Sequence, residues 1–288
     1  MKIAVYQGPV VFGDADANLA ATEKALASAQ AQSAEILAMP ETFLHGYFSA
    51  KTFKPEYAVD LNGEAFRQIM DRFRKFDCTL LLGLFEGRGV RVFNTVVVLE
   101  RGKLIGTYAK TYAYMNYETR GAEFPLFERR GIKYGVNICA DTSYIEPARI
   151  LAMKGAQIIF TPHFNYISHE HVDNHTTEVR NHHVAMAINN GVYVARSNVV
   201  VSESTGGGPL GYAGVGVGDS LILDRRGRVL AEAGICHSAL LVCELPDEDL
   251  KKGGPQRWRQ TSPAIADELH RQYQEMFATH RNLPLGKG

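Results

Sequence analysis

The chain runs through one pattern twice, and this repetition narrows the available folds more than any other feature. In the first half, residues 3–7 read as a buried strand and residues 14–32 as a helix, with Asp14 or Asp16 as its N-cap. Residues 35–39 make a second strand that leads straight into Pro40-Glu41. A helix near residues 63–75 precedes strands at 79–85 and 94–99. The turn Glu100-Arg101-Gly102-Lys103 then sends the chain back along a strand at 104–109 that ends at Lys110.

The second half repeats the scheme. Residues 132–138 read as a strand, 147–154 as a helix closed by Gly155, and 157–161 as another strand. A helix around 176–189 precedes a strand at 192–197. Strands at 220–223 and 228–231, joined by Asp224-Arg225-Arg226-Gly227, echo the hairpin before Lys110. Two strand–helix–strand halves, each with a hairpin, predict an α/β fold. It is a four-layer αββα sandwich of two mixed sheets packed face to face, with helices outside and an internal pseudo-two-fold. No Pro/Gly/Ser linker divides the chain, so residues 1–265 are expected to form one domain. Residues 266–288 read as a C-terminal tail laid on the surface or on a partner subunit. A single α/β domain of this size buries enough apolar surface to stand without disulfides.

Charge excludes several partner classes. Lys and Arg total 31 against 31 Asp and Glu, which gives no electrostatic reason to bind nucleic acid or an anionic membrane. No stretch approaches the roughly 18 apolar residues of a membrane span, and the apolar N-terminus is too short for a signal peptide. Cys78, Cys139, Cys236 and Cys243 show no C-x-x-C spacing, so a reducing cytoplasm is expected.

Cys139 is the sharpest chemical feature. Ile132, Tyr134, Val136 and Ile138 alternate onto one face, which sends Cys139 to the other, at a strand end just before a helix. Ligand sites open at such ends in α/β folds, and the turn supplies backbone N–H groups for an oxyanion. Cysteine is also a common space-filler, and the other three cysteines, in or beside apolar strands, read as structural. A nucleophilic thiol needs a base or a cation nearby. Glu41 and Lys110 each emerge where an apolar strand stops, so a carboxylate, an ammonium and a thiol converge on one sheet end.

These three residues, in this order, make the chain resemble the nitrilase (carbon–nitrogen hydrolase) superfamily. Met39-Pro40-Glu41-Thr42-Phe43 is similar to its glutamate motif, Tyr108-Ala109-Lys110 to its lysine motif, and Asn137-Ile138-Cys139-Ala140-Asp141 to its cysteine motif. The likeness covers most of the chain, from the opening strand to Asn198 and Gly218-Asp219-Ser220. It implies that Glu41 is the general base, that Cys139 is the nucleophile, and that Lys110 and the Ala140 N–H stabilise the oxyanion. A further glutamate that orients substrate is implied at Glu118, with Glu123 in reserve. The resemblance also implies a thioester intermediate, release of ammonia or an amine, no cofactor, and a homodimer or larger homo-oligomer. Nitrile-cleaving members resemble Cys-Trp-Glu where this chain has Cys139-Ala140-Asp141, so a small-molecule amide or carbamoyl substrate is expected. Met186-Ala187-Ile188-Asn189-Asn190 loses two charges that the family carries near its subunit interface.

Other readings compete. Six histidines fall between positions 163 and 183, and His171 and His175 are spaced to share a helix face with Glu170 and Asp173 nearby. A metal-dependent hydrolase follows from that cluster, but no H-E-x-x-H arrangement exists, and no metal is expected. A Cys–His hydrolase would take its base from the same cluster, and a non-catalytic scaffold would keep the fold alone. His163, Phe164, Asn165 and Tyr166 follow the strand beside the cysteine strand and are expected to touch substrate. Residues 204–211 form a glycine-rich segment without the Lys-Ser/Thr ending of a phosphate loop, and read as a loop near the site entrance. A thiol alkylator is expected to modify Cys139 ahead of the other three cysteines.

Overall fold

Asp14 accepts a hydrogen bond from Ala17 N at 2.9 Å and so caps the first helix, as its position predicts. Leu19, Ala25, Leu26 and Ala29 turn inward from that helix at three- and four-residue spacing. In the computed structural model, which describes residues 1–204, 210–254 and 256–280, the first half runs β1 (Lys2–Gly8), α1 (Ala15–Ala31), β2 (Ile36–Ala38), β3 (Ala58–Val59), α2 (Glu64–Arg72), β4 (Thr79–Arg88), β5 (Arg91–Glu100) and β6 (Lys103–Ala109). The second runs β7 (Phe127–Arg129), β8 (Ile132–Val136), α3 (Ile145–Met153), β9 (Ile158–Pro162), α4 (Val172–Asn190), β10 (Tyr193–Ser204), β11 (Gly214–Leu223) and β12 (Val229–Ile235). Then follow β13 (Ala239–Glu244), α5 (Asp247–Lys252) and α6 (Pro263–His280). The glycine-rich segment lies largely outside the described residues, as does the end of the C-terminal tail.

The predicted repetition is explicit in the strand pairing. The first sheet is ordered β13-β1-β2-β4-β5-β6, with pairings antiparallel, parallel, parallel, antiparallel and antiparallel. The second is ordered β7-β8-β9-β10-β11-β12 with the same succession of directions. Strand β3 adds a short parallel pairing to β4.

Three apolar clusters separate the four layers. Leu26, Phe66 and Phe73 of α1 and α2, or just past α2, pack on Leu37, Leu80 and Leu82 of the first sheet. Ile3, Val5 and Val98 meet Tyr134, Ile158 and Phe160 between the sheets. Leu151 and Ala187 of α3 and α4 cover Ile159, Val194 and Leu221 on the far side. The sheets also join at one seam, where the end of β1 pairs with β10 only through Gln7↔Asn198 and Gly8↔Val199. Parallel strands β2, β8 and β9 end on the same side of this seam, which is where an α/β sheet opens a ligand site. Among the described residues, no helix is long and apolar enough to cross a membrane.

One local expectation is corrected. Strand β8 stops at Val136, and Cys139 opens a 3-10 turn, Cys139–Ser143, with φ +44°. Strand alternation therefore does not decide where the thiol points. A left-handed backbone at a non-glycine residue, of a kind that costs on the order of 1–3 kcal/mol, does.

Candidate active site

Glu41 reaches the site because glycine allows it. A Cβ on Gly83 of β4 would lie 2.5 Å from both Pro40 O and Thr42 N, so only glycine lets the strand lie under the glutamate turn. Thr42, next in line, has φ +45°. The carboxylate is 1% exposed and fully engaged. Its Oε1 accepts from Lys110 Nζ and from Asn94 Nδ2, each at 2.7 Å. Its Oε2 accepts from Phe164 N at 2.8 Å. Burial raises the Glu41 pKa and the nearby Glu118 adds to the rise, while Lys110 and Asn94 pull it down; the net direction is up.

Lys110 follows β6 directly, 2% exposed, with Nζ 5.6 Å from the Tyr47 ring centroid. Burial works against its charge, but Glu41, Cys139 and Glu118 outweigh burial and raise its pKa. It stays an ammonium. The Cys139 thiol is pushed up to about 12, chiefly by burial and then by the Glu41 carboxylate that it meets, with Lys110 and the Phe164 N–H opposing. Asn165 Nδ2 approaches Cys139 Sγ at 3.8 Å. The thiol is therefore neutral near pH 7, and it needs a base at the moment of attack.

Asp141 locks the cysteine turn to the lysine segment. Its Oδ1 accepts from Thr111 N, Thr111 Oγ1 and Tyr112 N at 3.1, 2.8 and 2.8 Å. Its Oδ2 accepts from Tyr108 Oη at 2.7 Å and Ile138 N at 2.9 Å. Glu118 lies beside the centre: its Oε1 accepts from Tyr47 Oη at 2.5 Å and Asn94 Nδ2 at 3.4 Å, and its Oε2 from Tyr114 N at 3.0 Å. Glu123 is exposed and lies near Arg88 instead.

The segment after β9 forms the opposite wall. His163 O accepts from Glu41 N at 3.3 Å, so the two segments join by backbone as well as side chain. The His163 ring nitrogens face Thr161 O at 2.8 Å and Thr142 Oγ1 at 3.4 Å. Burial, then the charge of Arg196, keeps this imidazole well below its usual pKa and hence neutral. Asn165 Oδ1 accepts from Arg196 Nη2 at 2.8 Å, which orients the amide so that Nδ2 faces the thiol. Tyr166 pairs with Tyr212 across the site mouth. These residues, together with Glu41, Lys110, Cys139, Ala140, Tyr47 and Tyr114, line a cavity of about 200 Å³.

The histidine cluster disperses. His171 bonds Ser168 Oγ at the surface, His183 is buried against Thr161 Oγ1, and His175 lines the cavity. Among the described residues, no three His, Cys, Asp or Glu side chains converge as metal ligands would. Cys236 is exposed past β12, whereas Cys139 is half-buried in the cavity and Cys78 is buried.

Tyr47, Asn94 and Arg196 escaped the sequence reading. Asn94 ties Glu41 to Glu118, and Arg196 sets Asn165, yet each lies inside a strand and carries no motif. Asp141 was visible as part of the cysteine motif, but its span to Thr111 was not.

The family model for carbon–nitrogen hydrolases matches residues 2–252. An (R)-stereoselective amidase from Pseudomonas sp. is 29% identical over 81% of each chain. A citrullinase from Francisella tularensis subsp. tularensis is 27% identical over 95% of this chain and 99% of its own. Among solved structures, an amidase from Nesterenkonia sp. superposes with a TM-score of 0.74 at 26% identity, covering 95% of this chain and 96% of the other.

Proposed function

The chain belongs to the carbon–nitrogen hydrolase family, and on that premise we propose that it hydrolyses a small-molecule amide or carbamoyl compound through a thioester on Cys139. The observation that carries this reading is the Glu41 carboxylate. It is held by Lys110 and Asn94 on one oxygen and by Phe164 N–H on the other, and it meets the thiol. A base fixed against a neutral thiol is what general-base activation of a nucleophile requires.

In the reaction, Cys139 Sγ bonds to the carbonyl carbon as its proton passes to Glu41. Lys110 Nζ and the Ala140 N–H receive the oxyanion. Glu41 returns the proton to the leaving nitrogen, the C–N bond breaks, and ammonia or an amine departs. Water then gives a proton to Glu41 and attacks the thioester, which frees the acid and the thiol. Glu118 acts by orienting Tyr47 and Asn94, and Glu123 takes no part. His163 through Tyr166 contact substrate. The amidase and citrullinase names of the relatives support C–N cleavage, and the four unpaired thiols support a reducing, cytoplasmic setting. A Cys–His mechanism is disfavoured because burial makes His163 a weak base and its ring nitrogens face Thr161 O and Thr142 Oγ1 rather than the thiol.

Ammonia or amine release should be measured across aliphatic amides, ω-amides, N-carbamoyl compounds and nitriles. Cys139→Ala should abolish turnover with Tm preserved, and Glu41→Gln should lower kcat by roughly 10²–10⁴. A Cys139→Ala protein that still turns over would end the proposal.

A further inference from the structure

Among the described residues, the cavity offers no unpaired charge outside the reacting centre. Of the nearby cations, Lys110 is committed to Glu41 at 2.7 Å. Arg196 is 2% exposed and paired with Asp219: Nη1 donates to Asp219 Oδ2 at 2.9 Å and Asp219 O at 2.7 Å, Nη2 donates to Asn165 Oδ1 at 2.8 Å, and Nε is left without a partner. Arg180, behind it, is taken by Asp219 and Glu232. Glu118 is likewise occupied, by Tyr47 and by backbone N–H groups. The remaining titratable wall groups, His163 and His175, are buried enough that desolvation holds both below their usual pKa, so they present neutral rings.

Apart from neutral polar groups such as Ser143 and His175, whose Nε2 is buried without a partner, what the wall offers is apolar. Tyr114, Phe164, Tyr166, Val179, Leu210 and Tyr212 surround the space beyond Cys139. A substrate carboxylate or ammonium carried into that space would lose its water and gain no counter-ion, which is strongly unfavourable. An apolar acyl group loses nothing and buries area against rings. A cavity of about 200 Å³ holds roughly six to nine non-hydrogen atoms, given that about 150 Å³ holds a benzene.

We propose that the acyl pocket is built for an uncharged amide with a short apolar or aromatic acyl group, and that it discriminates against ω-amides and N-carbamoyl compounds that carry a carboxylate. This assignment rests on the proposed amide hydrolysis, so its test separates binding from turnover. In the full-length Cys139→Ala protein, calorimetry should compare isovaleramide and benzamide with glutaramate and N-carbamoyl-β-alanine. The neutral amides should bind at least tenfold tighter, and in the wild-type enzyme kcat/KM should favour them by 100-fold or more. Equal or tighter binding of the carboxylated compounds, or no binding of the neutral amides, overturns the proposal. Leu210→Arg, which sets a cation on the wall, should narrow the binding ratio at least tenfold; an unchanged ratio means that the acyl group does not lie there and overturns it too. A wild-type enzyme that hydrolyses nothing, while Cys139→Ala keeps the neutral preference, defeats the hydrolase reading and leaves the pocket assignment standing.

Discussion

Glu41 must be ionised to take a proton, and burial raises its pKa above the ordinary carboxylate range. As pH falls, activity should therefore decline earlier than it would for a free glutamate, because a raised pKa means protonation at higher pH. On the alkaline side no thiolate-driven rise near pH 9 is expected, since Cys139 is pushed up to about 12. A kcat/KM profile from pH 4 to 10 checks both limbs, and a rise centred near 9 would mean that free thiolate attacks. The cysteines differ in access as well as acidity. Iodoacetate, a charged reagent, should label exposed Cys236 first, whereas acrylamide, itself a small neutral amide, should label Cys139 ahead of buried Cys78. Peptide mass mapping reads both, and acrylamide labelling of Cys139 no faster than of Cys78 would count against an amide-shaped site. Glu41, Lys110 and Cys139 were legible because each stands where an apolar run stops. Asn94 and Arg196 were not, because their partners lie 53 and 31 residues away and nothing local marks them.

At the scale of elements, the turn after β8 and the segment after β6 are held together by one carboxylate. Asp141 accepts five hydrogen bonds across 29 to 33 residues of sequence or within its own turn. Asp141→Asn must aim an N–H at one set of donors, and it should cost at least ~2 kcal/mol of stability while lowering kcat through displaced Lys110 and Cys139. Thermal melts and kinetics together test this, and an unchanged kcat would show that the turn holds itself. The hairpins and helices α1 to α4 were legible from period and turn chemistry, whereas the six-residue α5, whose Lys251-Lys252 reads as a solvated turn, was not. The short strands β3 and β7 were not, because two or three residues carry no period. Polar residues Ser202, Glu203 and Ser204 hid the true length of β10. The 3-10 turn at Cys139 was missed because alternation was carried past Val136, where the strand ends.

Among the described residues, the last helix leaves an apolar stripe uncovered. On α6, Ile265, Leu269, Met276 and Phe277 are exposed, and Ile145 of α3 lies exposed on the helix to which α6 is tied through Tyr273 and Glu146. Charged Glu268, Arg271 and Glu275 pair among themselves along the same helix. The resemblance implies a homodimer or larger, and we propose that this stripe contributes to the contact between two copies of the chain. Leu269→Asp with Phe277→Asp should convert a dimer to a monomer by light scattering, and a wild-type monomer at micromolar concentration would refute it. The pseudo-two-fold was readable from the repeated motif, but the seam was not, since Gln7 and Asn198 meet only in three dimensions.

That seam has a consequence for synthesis. A nascent chain carries Glu41, Lys110 and Cys139 once its first 139 residues exist, but the Phe164 N–H that holds Glu41 comes later, and Asn198 later still. Domains of this size gather distant strands late, after loop closure across the intervening chain. The emerging polypeptide thus lacks the assembled site, and a released fragment ending at residue 160 should show Cys139 no more reactive toward acrylamide than Cys78. Reactivity would arrive with the docking of the second half, so the thiol is armed only in a finished molecule.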